Sequence, residues 1–113
     1  MPRDPRAYLW DARHAADLIR VFVEGRSWED YVTAAILSSA VERQLEIIGE
    51  ALNQLSRDDP ETAAQIPELA RIVAFRNLLI HGYATVDDAL VWSLATEKLA
   101  DLVGVLNGLL GEP

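Results

Sequence analysis

The chain contains no cysteine. Disulfides, thiolate metal sites and cysteine nucleophiles are excluded together. Histidine is nearly absent as well: only His14 and His81 occur, too few for a histidine-built metal site within one chain. Lys98 is the sole lysine, so positive charge rests almost wholly on arginine, the better donor to phosphate and carboxylate. No uninterrupted apolar run approaches the length of a membrane span, and no apolar segment of signal-peptide type follows the opening MPRDPR. A cytoplasmic protein with no membrane attachment is expected. Neither a glycine-rich phosphate loop nor a G-x-S-x-G elbow is present. Linkers, repeats and low-complexity tracts are missing, and strand-like alternation never persists beyond a few residues.

What remains is 113 residues, half of them apolar and a quarter charged, with a net charge of −8. That length suits one domain, 1–113, with a core sufficient to fold without staples. Such an acidic chain is a poor partner for duplex DNA, whose affinity comes mostly from cations on phosphates. The acid is unevenly spread. It sums to −6 over 27–66 and −4 over 87–113, whereas 1–26 and 67–86 are each +1. An anion-tolerant patch around Arg71 and Arg76 therefore fits inside an acidic shell.

Punctuation residues define helices. Asp4-Pro5 supplies an N-cap and a first-turn proline, and Tyr8, Leu9, Ala12, Ala15, Ala16 and Ile19 recur at helical spacing until Gly25, predicting a helix over 5–24. Ser27 with Asp30 forms a variant capping box before a long helix over 28–56, with Ser38-Ser39 as the expected bend. Asp59-Pro60 restarts a short helix that Pro67 ends. A third main helix covers 68–81 up to Gly82. Thr85 with Asp88 is a second variant box, opening a fourth helix at 86–110. The fold class is all-α, a bundle of four main helices plus a short one.

Two residues break the apolar pattern. On the third helix Leu69, Ile72, Val73, Phe75, Leu79 and Ile80 share one broad arc, and Arg76 falls inside it. Asn77 and His81 stand four apart on a neighbouring face, roughly 100–140° round from Arg76. A structural explanation is available for each polar group. Arg76 can pair with Glu42, Glu46 or Glu50 while its stem packs at the bundle edge. His81 can act as a C-terminal cap facing the helix dipole. Tyr83 can be a core aromatic with a wet hydroxyl. Gln44 is the second break, an amide on the apolar arc of the long helix that needs partners if buried. The pairs Asp58-Asp59 and Asp87-Asp88 sit at helix starts, where Asp is expected as a cap rather than as hydrolytic machinery.

The string RNLLIHGY, Arg76 to Tyr83, matches the R-x4-H-x-Y signature of the HEPN superfamily, and the chain resembles its HepT toxin branch. RDPRAYLWDARHAADLI, EGRSWEDY, AVERQLEIIGEALNQLS and VDDALVW resemble HepT segments in the same order, so nearly the whole length is covered. The resemblance implies a four- to five-helix up-and-down bundle that forms a homodimer and cuts RNA without a metal or other cofactor. It implies a toxin whose antitoxin, an MntA-like minimal nucleotidyltransferase, silences it by moving AMP from ATP onto the signature tyrosine. Carried over, Arg76 and His81 are catalytic, Asn77 is their polar neighbour and Tyr83 accepts AMP. The chemistry suits these residue types. RNA cleavage needs a proton carrier near neutral pH, which histidine provides, and fixed charge on the phosphorane, which arginine provides. One chain supplies a single such set, so a dimer bringing two copies of the helix together is expected. The strongly acidic second helix argues for a confined cleft. Two other readings stay open: a non-catalytic helical partner of a nucleotidyltransferase, and a plain bundle in which Arg76 is only ion-paired.

Overall fold

The computed structural model describes residues 3–81 and 86–111. Among these there are helices and turns, with no strand. The expected all-α bundle is what the chain forms.

α1 spans Pro5–Val23. The Asp4 carboxylate accepts from the Arg6 amide at 2.9 Å, and Pro5, lacking an N–H, occupies the first helical position. Gly25, at φ 72°, takes the left-handed conformation that lets the chain turn out of the helix. The buried face of α1 is Tyr8, Leu9, Ala12, Ala15, Ala16, Ile19 and Val23. Its three alanines let neighbouring backbones come close, and α1 packs on the long third helix and on the last one.

α2 (Trp28–Thr33) and α3 (Ala35–Asp58) replace the single helix expected over 28–56. The Ser27–Asp30 capping box forms in both directions, at 3.1 and 2.9 Å. The break lies at Ala34, which is extended (φ −109°, ψ 94°), and not at Ser38-Ser39. Ser38 only donates its hydroxyl back to the Ala35 carbonyl at 3.2 Å inside an unbroken helix. Packing explains the position. Tyr31 is fully buried between Trp28 and Trp92, with ring centroids 6.3 and 5.3 Å away. α3 must instead lay Val41, Leu45, Ile48, Leu52 and Leu55 into the core beside α1. The sharp turn at Ala34 lets both docking requirements be met, where a gentle helical bend would not.

α4 (Pro60–Ala63) opens at Asp59, whose carboxylate accepts from the Thr62 amide and hydroxyl at 3.3 and 2.6 Å. Glu68 then adopts φ 60°, an unfavourable conformation for a residue with a side chain, immediately before α5 (Leu69–His81). α6 (Asp88–Ser93) is capped by Asp87, which accepts from the amides of Ala89 and Leu90. The proposed Thr85–Asp88 box involves Thr85, outside the described residues; the observed cap is Asp87. The helix expected at about 86–110 runs without interruption from Asp88 to Leu110, with a π turn, Leu94–Lys98, between α6 and α7 (Leu99–Leu110). Val91, Ala95, Leu99 and Val103 are all buried at intervals of four. On a regular α-helix such spacing drifts about 40° per step, and the wider turn takes up that drift. Gly111, at φ 75°, closes the helix.

α1, α3 and α7 supply most of the core. Polar bonds fasten their ends. Arg6 donates to the Leu110 carbonyl (2.9 Å), Arg13 to Asn107 (3.3 Å) and the Tyr8 hydroxyl to Asp58 (2.9 Å). α5 lies outside this core, against α3, and Leu79 is its one fully buried residue. The rest of its predicted arc is half-buried, and Leu78 is exposed. No helix among the described residues is long and apolar enough to cross a membrane.

The buried Tyr31 hydroxyl has no hydrogen-bond partner. Replacing Tyr31 with Phe keeps the ring and removes an unsatisfied group, so thermal unfolding of Tyr31→Phe should match the wild type or improve on it by about 1 kcal/mol. Tyr31→Ala should lose about 3–5 kcal/mol through cavity formation.

Candidate active site

Arg76 projects from the middle of α5 into a groove of about 550 Å³ where α1, α3 and α5 meet. Its Nη2 donates to a Glu50 carboxylate oxygen on α3, and its Nη1 donates to Asn77 Oδ1 at 2.8 Å. Of the three glutamates that spacing left open, Glu50 is the partner. The other Glu50 oxygen accepts from Gln54 Nε2 at 3.2 Å, so the carboxylate is held on both sides. The Arg76 side chain is 23% exposed, and its Nε is buried without a partner. A stem packed into the helix interface with its head at the groove edge is the arrangement expected of an arginine on an apolar arc.

The groove also gathers residues that sequence spacing did not single out. Arg3 lies over the Tyr8 ring, 5.0 Å from its centroid, and is paired with Asp11 at 2.8 Å. Arg43 is paired with Glu46 at 3.2 Å. Three arginines thus face Asp11, Glu46 and Glu50 across one depression. The groove is locally balanced in a chain of net charge −8, so it lacks the acidic excess of the chain as a whole. Only the packing of α1 against α3 brings Arg3 to Arg76, and nothing in local sequence signals it.

His81 is the last residue of α5 and is exposed. It lines neither this groove nor its neighbour. Five residues from Arg76, it lies about 7.5 Å further along the helix axis and well round it. Of the two, only Arg76 reaches the groove within one chain. Tyr83 lies outside the described residues. Gln44 is half-buried on α3, so the buried amide considered for it does not arise.

A second depression of about 450 Å³, between α3 and α5, is lined by Ser39, Glu42, Arg43, Glu46, Leu79 and Ile80. Burial, then Asp88, then Glu46 push the Glu42 carboxyl above its usual range. Burial raises the Tyr31 hydroxyl too, with Glu42 and Asp88 adding to it.

An all-α bundle whose outer helix sends Arg76 into a charge-balanced groove, with His81 exposed at that helix's end, is the setting of the candidate site. The ribonuclease HepT-like family profile matches residues 12–108, and the chain belongs to that family. It is 36% identical over 106 residues to a protein of Thermococcus cleftensis named "Probable ribonuclease HepT", covering 92% of this chain and 94% of that one. Proteins of Methanocaldococcus jannaschii and Caldanaerobacter subterraneus, each named "Putative RNase", are 33% and 32% identical, over 86% and 88% of this chain and 88% of each relative. No solved structure matches the chain.

The Glu42 environment gives a pH signature. Its carboxyl is raised on folding, so the folded state holds the proton more tightly than the unfolded chain does. Stability is therefore lost as pH rises from the ordinary value near 4.5 through the raised one. Glu42→Gln should melt higher than the wild type at pH 7, and the difference should vanish below about pH 4 in a pH series of thermal unfolding.

Proposed function

We propose that this chain is the metal-independent endoribonuclease toxin of a toxin–antitoxin pair, acting in the cytoplasm as a homodimer of one HEPN-like domain. The observation that carries the reading is the Arg76 guanidinium, fixed by Glu50 and Asn77 at the edge of a charge-balanced groove in a member of a ribonuclease family. Arg76 binds the scissile phosphate and stabilises the charge that develops on it. His81 moves protons: it takes one from the ribose 2′-hydroxyl or gives one to the departing 5′-oxygen. The 2′-oxygen attacks the adjacent phosphorus, and the bond to the 5′-oxygen breaks. A 2′,3′-cyclic phosphate and a 5′-hydroxyl are left, with no water consumed.

Dimerisation supplies what one chain lacks. Arg76 and His81 of a single chain diverge, and α5 leaves Leu78 exposed and Val73 and Phe75 half-covered. A second copy packed on α5 would cover that face and bring two of each group to one cleft. Asn77 orients Arg76 there. Control comes from an MntA-like nucleotidyltransferase antitoxin that uses ATP, transfers AMP to the Tyr83 hydroxyl and releases pyrophosphate. The added phosphate charge would repel RNA and compete for Arg76. Resemblance of the RNLLIHGY string and family membership support this part.

The engagement of Arg76 with Glu50 also favours a purely structural ion pair, and the assay must separate the two. In an RNA cleavage assay containing chelator, His81→Ala and Arg76→Ala should each reduce the rate by about a hundredfold or more. Unchanged cleavage in both variants would leave only the scaffold. Sedimentation should report a dimer. Incubation with ATP and the co-encoded nucleotidyltransferase should add mass in AMP steps to the wild type and none to Tyr83→Phe.

A further inference from the structure

The only glycine of α3 sits beneath Arg76. Gly49 is a helix-interior residue with ordinary helical geometry, so no turn or left-handed backbone requires a glycine there. Glycine at such a position is destabilising relative to alanine. A Cβ placed on Gly49 would lie 2.2 Å from Arg76 Cβ, 2.7 Å from Cγ and 3.5 Å from Cα. These are not the mobile end of a side chain but its root and the backbone behind it. No rotamer change of Arg76 relieves the overlap, because Cβ itself is the nearest atom. Either α5 moves away from α3 or the position stays glycine.

The next residue along α3 is Glu50, which holds the guanidinium. Gly49 and Glu50 thus act on the same arginine at its two ends. The glycine admits the root of the side chain, and the carboxylate receives its tip. The buried Nε lies between these points. Displacing the root outward draws the whole side chain away from its Glu50 partner on α3. Gly104 and Gly108 in α7 provide the contrast. A Cβ at either meets nothing within 4 Å.

We infer that Gly49 is a positioning residue for Arg76: by admitting the Arg76 Cβ against the α3 backbone it sets where the guanidinium stands in the groove. The inference rests on the catalytic reading of Arg76 for its functional consequence, but not for its geometric one.

The test separates the two. In ¹⁵N-labelled protein the buried Arg76 Nε–H should give a slowly exchanging signal, assigned by its loss in Arg76→Lys. Gly49→Ala should move that signal into the envelope of exposed arginines and lower RNA cleavage at least tenfold. Gly108→Ala, the same chemical change in open space, should leave both unchanged and raise the melting temperature. Retention of the Arg76 signal and of full cleavage in Gly49→Ala would overturn the inference. If Gly49→Ala displaces the signal while Arg76→Ala cleaves like the wild type, positioning stands and the catalytic reading falls. If Gly49→Ala does not fold, the pair Gly49→Ala with Arg76→Gly, which clears the opposing Cβ, should recover a cooperative unfolding transition. Failure of the pair to recover would overturn the steric cause.

Discussion

Everything distinctive about the groove depends on how closely α5 lies on α3. α1, α3 and α7 supply most of the buried core, and α5 adds one buried residue, Leu79, with Leu69, Ile72 and Phe75 packed at its edge. α5 is therefore held by a narrow seam rather than by deep burial. At the middle of that seam backbone meets side-chain root over Gly49, and one turn of charge chemistry, Glu50 with Gln54 and Arg76, locks the register. An arginine is suited to this place because its apolar stem fills the seam while its planar head spans two acceptors.

Charge follows the same economy. The chain as a whole repels anions, yet three of its nine arginines gather at one groove. Arg3 arrives from the start of the chain, Arg43 from the first half of α3 and Arg76 from α5, and each is matched by a carboxylate within reach. A phosphate that engages one of these arginines must displace its carboxylate, which stays in the groove and leaves the local sum one unit more negative. Glu42 stands apart from this scheme. It lies half-buried near Asp88 and Glu46, and its burial first, then their repulsion, makes its charge a cost to the fold.

Legibility in the sequence tracks how local each cause is. The start of α1 at Asp4-Pro5, its end at Gly25, the Ser27–Asp30 box and the restart at Asp59-Pro60 are all settled within four residues, and all were readable. Arg76 was visible as an anomaly because it interrupts a periodic arc, although periodicity alone could not choose among Glu42, Glu46 and Glu50. The break at Ala34 is not readable, since it goes with Tyr31 docking on Trp92, 61 residues away in the chain. Asp87-Asp88 reads from the sequence as a cap pair, as Asp87 is, but the choice of Asp87 over a Thr85–Asp88 box needs the folded backbone. The groove arginines Arg3 and Arg43 look like ordinary surface charges until helix packing assembles them.

The π turn at Leu94–Lys98 carries a consequence for how this chain relates to others of its kind. A widened turn is, in effect, one residue more than a regular helix needs to connect the same two buried faces. Homologues whose apolar positions there alternate three and four apart would reach the same packing with one residue fewer. A correct pairing of such sequences with this one should open a single gap between positions 94 and 98, and would mark that turn as the place where the family's length drifts without its architecture changing.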